Sequence, residues 1–276
     1  MRPQGPWWTA LVGLAAACTF PSAGGIDGDP PGPPGPPGAD ASPPGVDADV
    51  TVDAPPMVTP RVLVLTDARP GTADRDALPA VQAALTAAGI IVDDGGYYAD
   101  WPSSVAPDLS ATDAVIWLQG VNFNVSIESE LAPTLSAYVA GGGVLVRTEW
   151  SAWNADRPSD YDGIDAQLPV TAPGSHFGYG AVWSALAPGH RYLAGVTLPW
   201  ATAAGYSEVT AVPGSTVVAT LSPASGDSTP YPALTYHAVG DGRVVHVNHD
   251  VLYTVEEVEP QLLRLFINIA TVSASP

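Results

Sequence analysis

The chain has 276 residues, with 28 acidic residues against nine basic ones and a formal net charge of −19. Such a surface repels nucleic acid and anionic headgroups, which excludes both as electrostatic partners. All nine basic residues are arginines. Without lysine there is no Schiff base, no tethered pyridoxal phosphate and no Walker A contact to a phosphate, and no cofactor is expected.

In chain order, residues 1–18 come first: a single early arginine, the apolar run "WWTALVGLAAAC", and small residues before Cys18. That is the layout of a secretory signal, too short to remain as a membrane span. "LAAAC" resembles the lipobox of bacterial lipoproteins, with Leu14 one place earlier than usual. The resemblance implies lipidation of Cys18, the chain's one cysteine, and a mature protein without thiol or disulfide. It also implies export, anchoring in the cell envelope with the lipid bilayer as partner, and the outer rather than the inner membrane, because Thr19 is not the inner-membrane aspartate. The plainer alternative is an ordinary signal peptide with an incidental cysteine.

Residues 19–60 read as a disordered tether. The stretch "DGDPPGPPGPPGADASPPGVDADVTVDAPP" carries six aspartates and no basic residue, and it lacks the apolar surface needed to offset ordering entropy. Three collagen-like triplets are too few for a triple helix, which leaves a semi-extended spacer.

From residue 61 to 276 the pattern is that of a single α/β domain. "RVLVLTD" (61–67) is a strand buried on both faces, 73–89 a helix stopped by Gly89, and "IIVDD" (90–94) a second strand. "DAVIWLQG" (113–120) is a third strand, 126–143 a capped helix ending in glycines, and "GVLVRTEW" (143–150) a fourth strand. The stretch 151–206 reads as irregular, with a short helix near 159–167. Strand patterns return at 208–212, 215–222, 231–239 and 242–250, the last two joined by the turn "GDG", before a final helix over 259–274.

These segments together resemble the class I glutamine amidotransferase-like superfamily. The likeness is carried by "RVLVLTD" with "LTAAGIIVD", by "ATDAVIWLQG", by "LAPTLSAYVAGGGVLV" and by "ALTYHAVGDGRVVHVNHD". The last segment, with the degenerate "GHRYLAGV", is similar to the trehalose-utilisation-like, non-amidotransferase branches. The resemblance covers about 61–272 and implies a flavodoxin-like three-layer sandwich: a mostly parallel sheet, a C-terminal hairpin and a final helix. It also implies a cysteine nucleophile just past the fourth strand and a downstream His-x-Glu. This chain has "RTEWSAW" and "VNHDV" there. Thiol-dependent amide hydrolysis is therefore excluded, and Glu149 occupies a vacated catalytic position.

Ligands of such sheets bind beyond the carboxyl ends of the strands. Those ends carry Thr66 and Asp67, Gln119 and Asn122, Glu149 and Trp150, then Asn248, His249 and Asp250. Taken singly, each fits an ordinary turn or cap. As a set they support three readings. The first is a non-catalytic binding or structural module, in which Trp150, Trp153 and the aromatics of "GSHFGYG" (His176, Phe177, Tyr179) grip a glycan or a protein, or merely pack the insert. The second is a hydrolase of glycans or other small substrates, with Glu149, Asp67 and His249 as acid and base. Ser151 lacks the elbow that would make it a nucleophile. The third is a metal site from His249, Asp250, Asp67 and Glu149; it has no supporting ligand spacing, and no metal is expected. His246 and His249, three apart on a strand, are expected to face opposite sides.

Overall fold

The computed structural model describes residues 59–100, 108–125, 131–157, 163–174, 176–226 and 229–273. Residues 1–18, expected to be a signal segment ending at Cys18, and all of the expected tether but Thr59 and Pro60 lie outside the described residues.

The element order is β1 (Arg61–Thr66), α1 (Leu78–Ala87), β2 (Ile91–Tyr97), β3 (Ala114–Trp117), α2 (Leu131–Ala140), β4 (Val144–Thr148), α3 (Glu149–Ala155), β5 (Val170–Thr171), β6 (Phe177–Ala185), β7 (Trp200–Ser207), β8 (Thr210–Ala211), β9 (Thr216–Pro223), β10 (Tyr231–Val239), β11 (Gly242–Val247) and α4 (Pro260–Ser273). One nine-stranded sheet runs β2-β1-β3-β4-β11-β10-β9-β6-β7, with β5 and β8 as a separate pair. The first five strands are mutually parallel and the last four continue antiparallel. The fold is thus mixed α/β around a large sheet, with few helices.

The central strands need little explanation. VLVL of β1, AVIW of β3 and VLV of β4 are buried on both faces, and each such aliphatic side chain contributes about 1.5–3 kcal/mol on burial. Alternate residues feed two cores. Val62, Val64, Ile116 and Val146 meet α1 and α4 on one face. Leu63, Leu65, Trp117 and Leu145 meet Tyr98 and the α2 residues Leu135 and Val139 on the other. Helix α1 starts later than its sequence pattern suggests. Asp76 accepts hydrogen bonds from the Thr66 hydroxyl and the Leu78 amide, both at 2.9 Å, and so holds the preceding loop open until Pro79 begins the first turn. The β10–β11 hairpin turns on Gly240, at φ +61°, where a side chain would collide with the end of α2.

Three expectations need correction. Glu149 and Trp150 do not prolong the fourth strand; they open α3. The segment 151–206 is not irregular, because it holds the long strands β6 and β7. The helix placed near 159–167 is, within the described residues, a single 3-10 turn at Asp165–Gln167. Strands β6 and β7 are rich in glycine and alanine, which have poor strand propensity. Rings supply what the glycines lack: Phe177 covers Gly205 and Tyr206 covers Gly178 across the pair.

The antiparallel strands curl. Asn248, just past β11, accepts from the Ser207 amide at 2.9 Å and donates to the carbonyls of Ser207 and Pro232, each at 2.9 Å. The Asp250 amide donates to the Gly205 carbonyl at 2.9 Å. The far strand β7 is thereby brought back to the end of β11. Asn248 is thus spent on closing the sheet.

Candidate functional site

The sequence-predicted residues are all found near the carboxyl ends of the parallel strands, but their side chains divide into separate groups. Asp67 follows β1 and is 4% exposed. Its Oδ2 accepts the amides of Gly120 and Asn122, both at 2.7 Å. Asn122 in turn donates its side-chain amide to the Asp67 carbonyl at 2.8 Å and to Asp74 at 2.7 Å. Burial pushes the Asp67 carboxyl up to about 6 against these amides, and the charge of Asp250 adds to the rise. Its geometry is that of a clamp joining the β1 and β3 loops. Gln119 is buried; its backbone amide donates to the Thr148 hydroxyl at 3.0 Å, and its side-chain oxygen accepts from Arg147 at 3.4 Å.

Glu149, the first residue of α3 directly after β4, is fully buried. Ser207, from the curled end of β7, donates its hydroxyl to Glu149 Oε1 at 2.5 Å. Burial, against the opposing Ser207 hydrogen bond and with the charge of Asp250 added, pushes the Glu149 carboxyl well above the ordinary carboxylate range and so favours its neutral form. Ser151 is also fully buried and gives its hydroxyl to the Thr148 carbonyl.

Aromatic rings gather around Trp150, the residue after Glu149. Trp150, 3% exposed, is sandwiched between Phe123 at 3.8 Å and Phe177 at 4.6 Å between ring centres. Trp153 and Tyr253 meet it edge-on at 5.3 and 4.9 Å, and Tyr179 meets Phe177 edge-on at 4.9 Å. Arg157 lies over the Trp153 ring at 3.2 Å. The outermost rings are Tyr179, 64% exposed, and Tyr253, 43% exposed. The strand-end crevice is thus packed with side chains, and its outer surface is an aromatic rim. A cavity of about 460 Å³ opens elsewhere, beside Asp113, Tyr138 and Gly141–Gly143 at the opposite ends of β3 and β4.

His249 does not join Glu149 and Asp67. Strand β11 ends at Val247, and the His249 amide donates to the Val247 carbonyl at 2.8 Å in a tight turn. Its ring stacks on Trp200 at 4.9 Å and 19° instead. Asp250 turns its carboxylate onto the following loop and accepts from the amides of Tyr253 at 2.9 Å and Thr254 at 2.5 Å. Among the described residues no three or more His, Cys, Asp or Glu side chains gather as metal ligands do, so the four residues considered for a metal site do not form one. His246, as expected, faces the other way from His249: it is buried beside Arg147, and burial pushes its imidazole down to about 3.

Several residues of this region carried no motif. Ser207, Phe123 and Tyr253 lie in segments with no pattern to set them apart. Arg147 was the one readable signal, a charge inside an otherwise apolar strand. It packs on Trp117 at 4.0 Å and pairs with Asp165 at 3.1 Å, both side chains being 1% exposed.

A scan of protein-family models finds no match to this chain, and a search of curated proteins finds none either. Solved structures do match. A cytoplasmic protein of Salmonella typhimurium superposes with a TM-score of 0.60 at 15% identity, over 76% of this chain and 98% of that one. A ThuA-like protein of Parabacteroides merdae gives 0.57 at 14%, over 79% and 91%. A cold-adapted β-galactosidase of a Rahnella species gives 0.56 at 18%, over 80% of this chain but 32% of that one. At such identities the likeness is one of fold alone: the chain shares its α/β frame with these proteins.

Proposed function

We propose that this chain is an exported, lipid-anchored binding protein. Its flavodoxin-like domain keeps an amidotransferase-type frame without catalytic apparatus, and the tether holds that domain off the membrane. The observation that carries the reading is the state of the vacated position: Glu149 is fully buried and hydrogen-bonded to Ser207, and the next residue, Trp150, is itself buried in a ring stack. A general acid or nucleophile must reach substrate, and this carboxyl has no path to it. The same geometry disfavours the hydrolase alternative, because the imidazole proposed as its partner is turned onto Trp200.

The ligand class that best fits the rim is a glycan. Tyr179 and Tyr253 are exposed rings braced edge-on by Phe177 and Trp150, which is how aromatic platforms present a flat face to a sugar. The chain's net charge of −19 favours an uncharged or cationic sugar over an acidic one. A glycan array followed by calorimetry on the full chain tests this. Tyr179→Ala or Tyr253→Ala is expected to weaken binding by roughly five- to thirtyfold, from the loss of about 1–2 kcal/mol of stacking, with the melting temperature nearly unchanged. Array-wide silence, or hits indifferent to both substitutions, contradicts the glycan reading and leaves a protein ligand.

A further inference from the structure

The loop from His249 to Glu259 leaves β11, carries Tyr253 of the rim, and returns to the start of α4. Its middle is held from outside: Arg75 donates to the carbonyls of Leu252 at 3.2 Å and Val255 at 3.1 Å, and pairs with Glu256 at 2.9 Å. Its two ends meet each other. His249 Nε2 lies 3.8 Å from Glu259 Oε1, and Thr202 of β7 sits between them. The Thr202 hydroxyl oxygen is 3.2 Å from Nε2 and hydrogen-bonds Glu259 Oε1. It also accepts the Ala204 amide at 2.9 Å. Glu259 Oε2 accepts the Trp200 indole N–H at 2.8 Å.

Counting hydrogens on this chain decides how it works. His249 Nδ1 faces the Asp250 carbonyl at 2.5 Å. A carbonyl only accepts, so Nδ1 carries a hydrogen. Thr202 has one hydrogen to give. If it goes to Glu259, Nε2 must carry a proton of its own to bond the threonine oxygen. If it goes to Nε2, Glu259 must be protonated to bond that oxygen. Either way every link is made when the chain His249–Thr202–Glu259 holds one extra proton. Without that proton, two acceptors face each other and one link is lost. The charged groups facing the imidazole are Glu259 and Asp250; β6 and β7 present Trp183, Trp200 and Thr202. Burial lowers the His249 imidazole, and Glu259 opposes this.

We propose that residues 249–259 form a proton-latched strap, fastened at its base by the one proton shared along His249, Thr202 and Glu259, and loosened as pH rises and that proton leaves. On the binding reading above, the strap sets the position of Tyr253 in the rim. The latch itself is tested without any ligand. Amide hydrogen exchange of residues 250–258 in the full chain, corrected for intrinsic rates, is compared at about pH 5, 7 and 9, with the amides of Ile116 and Val146 in the central strands as reference. Wild type is expected to lose protection in the strap by roughly five- to tenfold on going to high pH, the loss of one hydrogen bond, while the reference amides keep theirs. Glu259→Gln should hold the strap closed across the range. Its amide supplies the missing hydrogen to Thr202, and its oxygen still accepts from Trp200. Thr202→Val removes the wire and should leave the strap loosely protected at every pH. Strap protection in wild type that does not depend on pH overturns the proposal, as does a Glu259→Gln strap that follows the wild-type curve.

Discussion

Replacing Arg147 by methionine is expected to lower the unfolding free energy by about 3–5 kcal/mol, the range found when one partner of a buried ion pair is removed. The geometry leaves no cheaper outcome. The Arg147 and Asp165 side chains are each 1% exposed and 3.1 Å apart, and the guanidinium lies over the Trp117 ring at 4.0 Å. Methionine keeps much of the packing volume against the ring but leaves the Asp165 carboxylate in the interior without its counter-charge. The double replacement Arg147→Met with Asp165→Leu should recover most of the loss, since a well-packed apolar pair often equals a buried ionic one. Urea denaturation of the three proteins decides it. A small effect of the single change, below about 1 kcal/mol, would mean that the pair is not buried as described.

The second large effect is expected at Trp150. Trp150→Ala removes the ring between Phe123 and Phe177 and should cost about 3–5 kcal/mol, the usual loss for a large core aromatic. It also removes the ring that braces Tyr253, so rim binding and stability should fall together. Trp150→Phe, which keeps a stacked ring, should cost much less. Denaturation followed by near-ultraviolet dichroism separates loss of the stack from loss of the whole fold. If alanine at 150 is tolerated with stability intact, the stack is a surface feature and the crevice is not closed by it.

Much of this fold was legible because its central strands are buried on both faces and read as unbroken apolar runs. Val62 to Leu65, Ala114 to Trp117 and Val144 to Val146 have no other place to go. The hairpin into β11 and the final helix were equally plain from "GDG" and from the spacing of Leu262, Phe266 and Ala270. What escaped was the pair β6 and β7. Gly178 and Gly205 each stand under an aromatic ring of the other strand, a signal that exists only once the strands are paired.

The site was legible as a place and not as an arrangement. Strand-end position brought Asp67, Gln119, Asn122, Glu149 and Trp150 to one rim of the sheet, because in a parallel sheet register fixes where strands end. It could not fix where side chains turn after the strand stops. A single tight turn at Val247–His249 sends the imidazole to Trp200 and Glu259, and the curl of β7 brings Ser207 to Glu149 from 58 residues away. Ser207 and Thr202 became important through that curl, which the sequence pattern of β7 did not announce.

The most direct test of the closed, non-catalytic position is the pH dependence of stability in wild type and in Glu149→Gln. Glu149 is raised above its unfolded value, so its neutral form is the one the fold favours. The contribution is therefore present at low pH and is lost as pH climbs from the ordinary carboxylate range towards the raised value. Glutamine keeps an oxygen for the Ser207 hydroxyl and cannot ionise. The account predicts curves that coincide at acid pH and diverge as pH rises, with Glu149→Gln the more stable at pH 8 and rim binding unchanged. A Glu149→Gln protein that is less stable than wild type at neutral pH, or that has lost a hydrolytic activity measured in wild type, would contradict it.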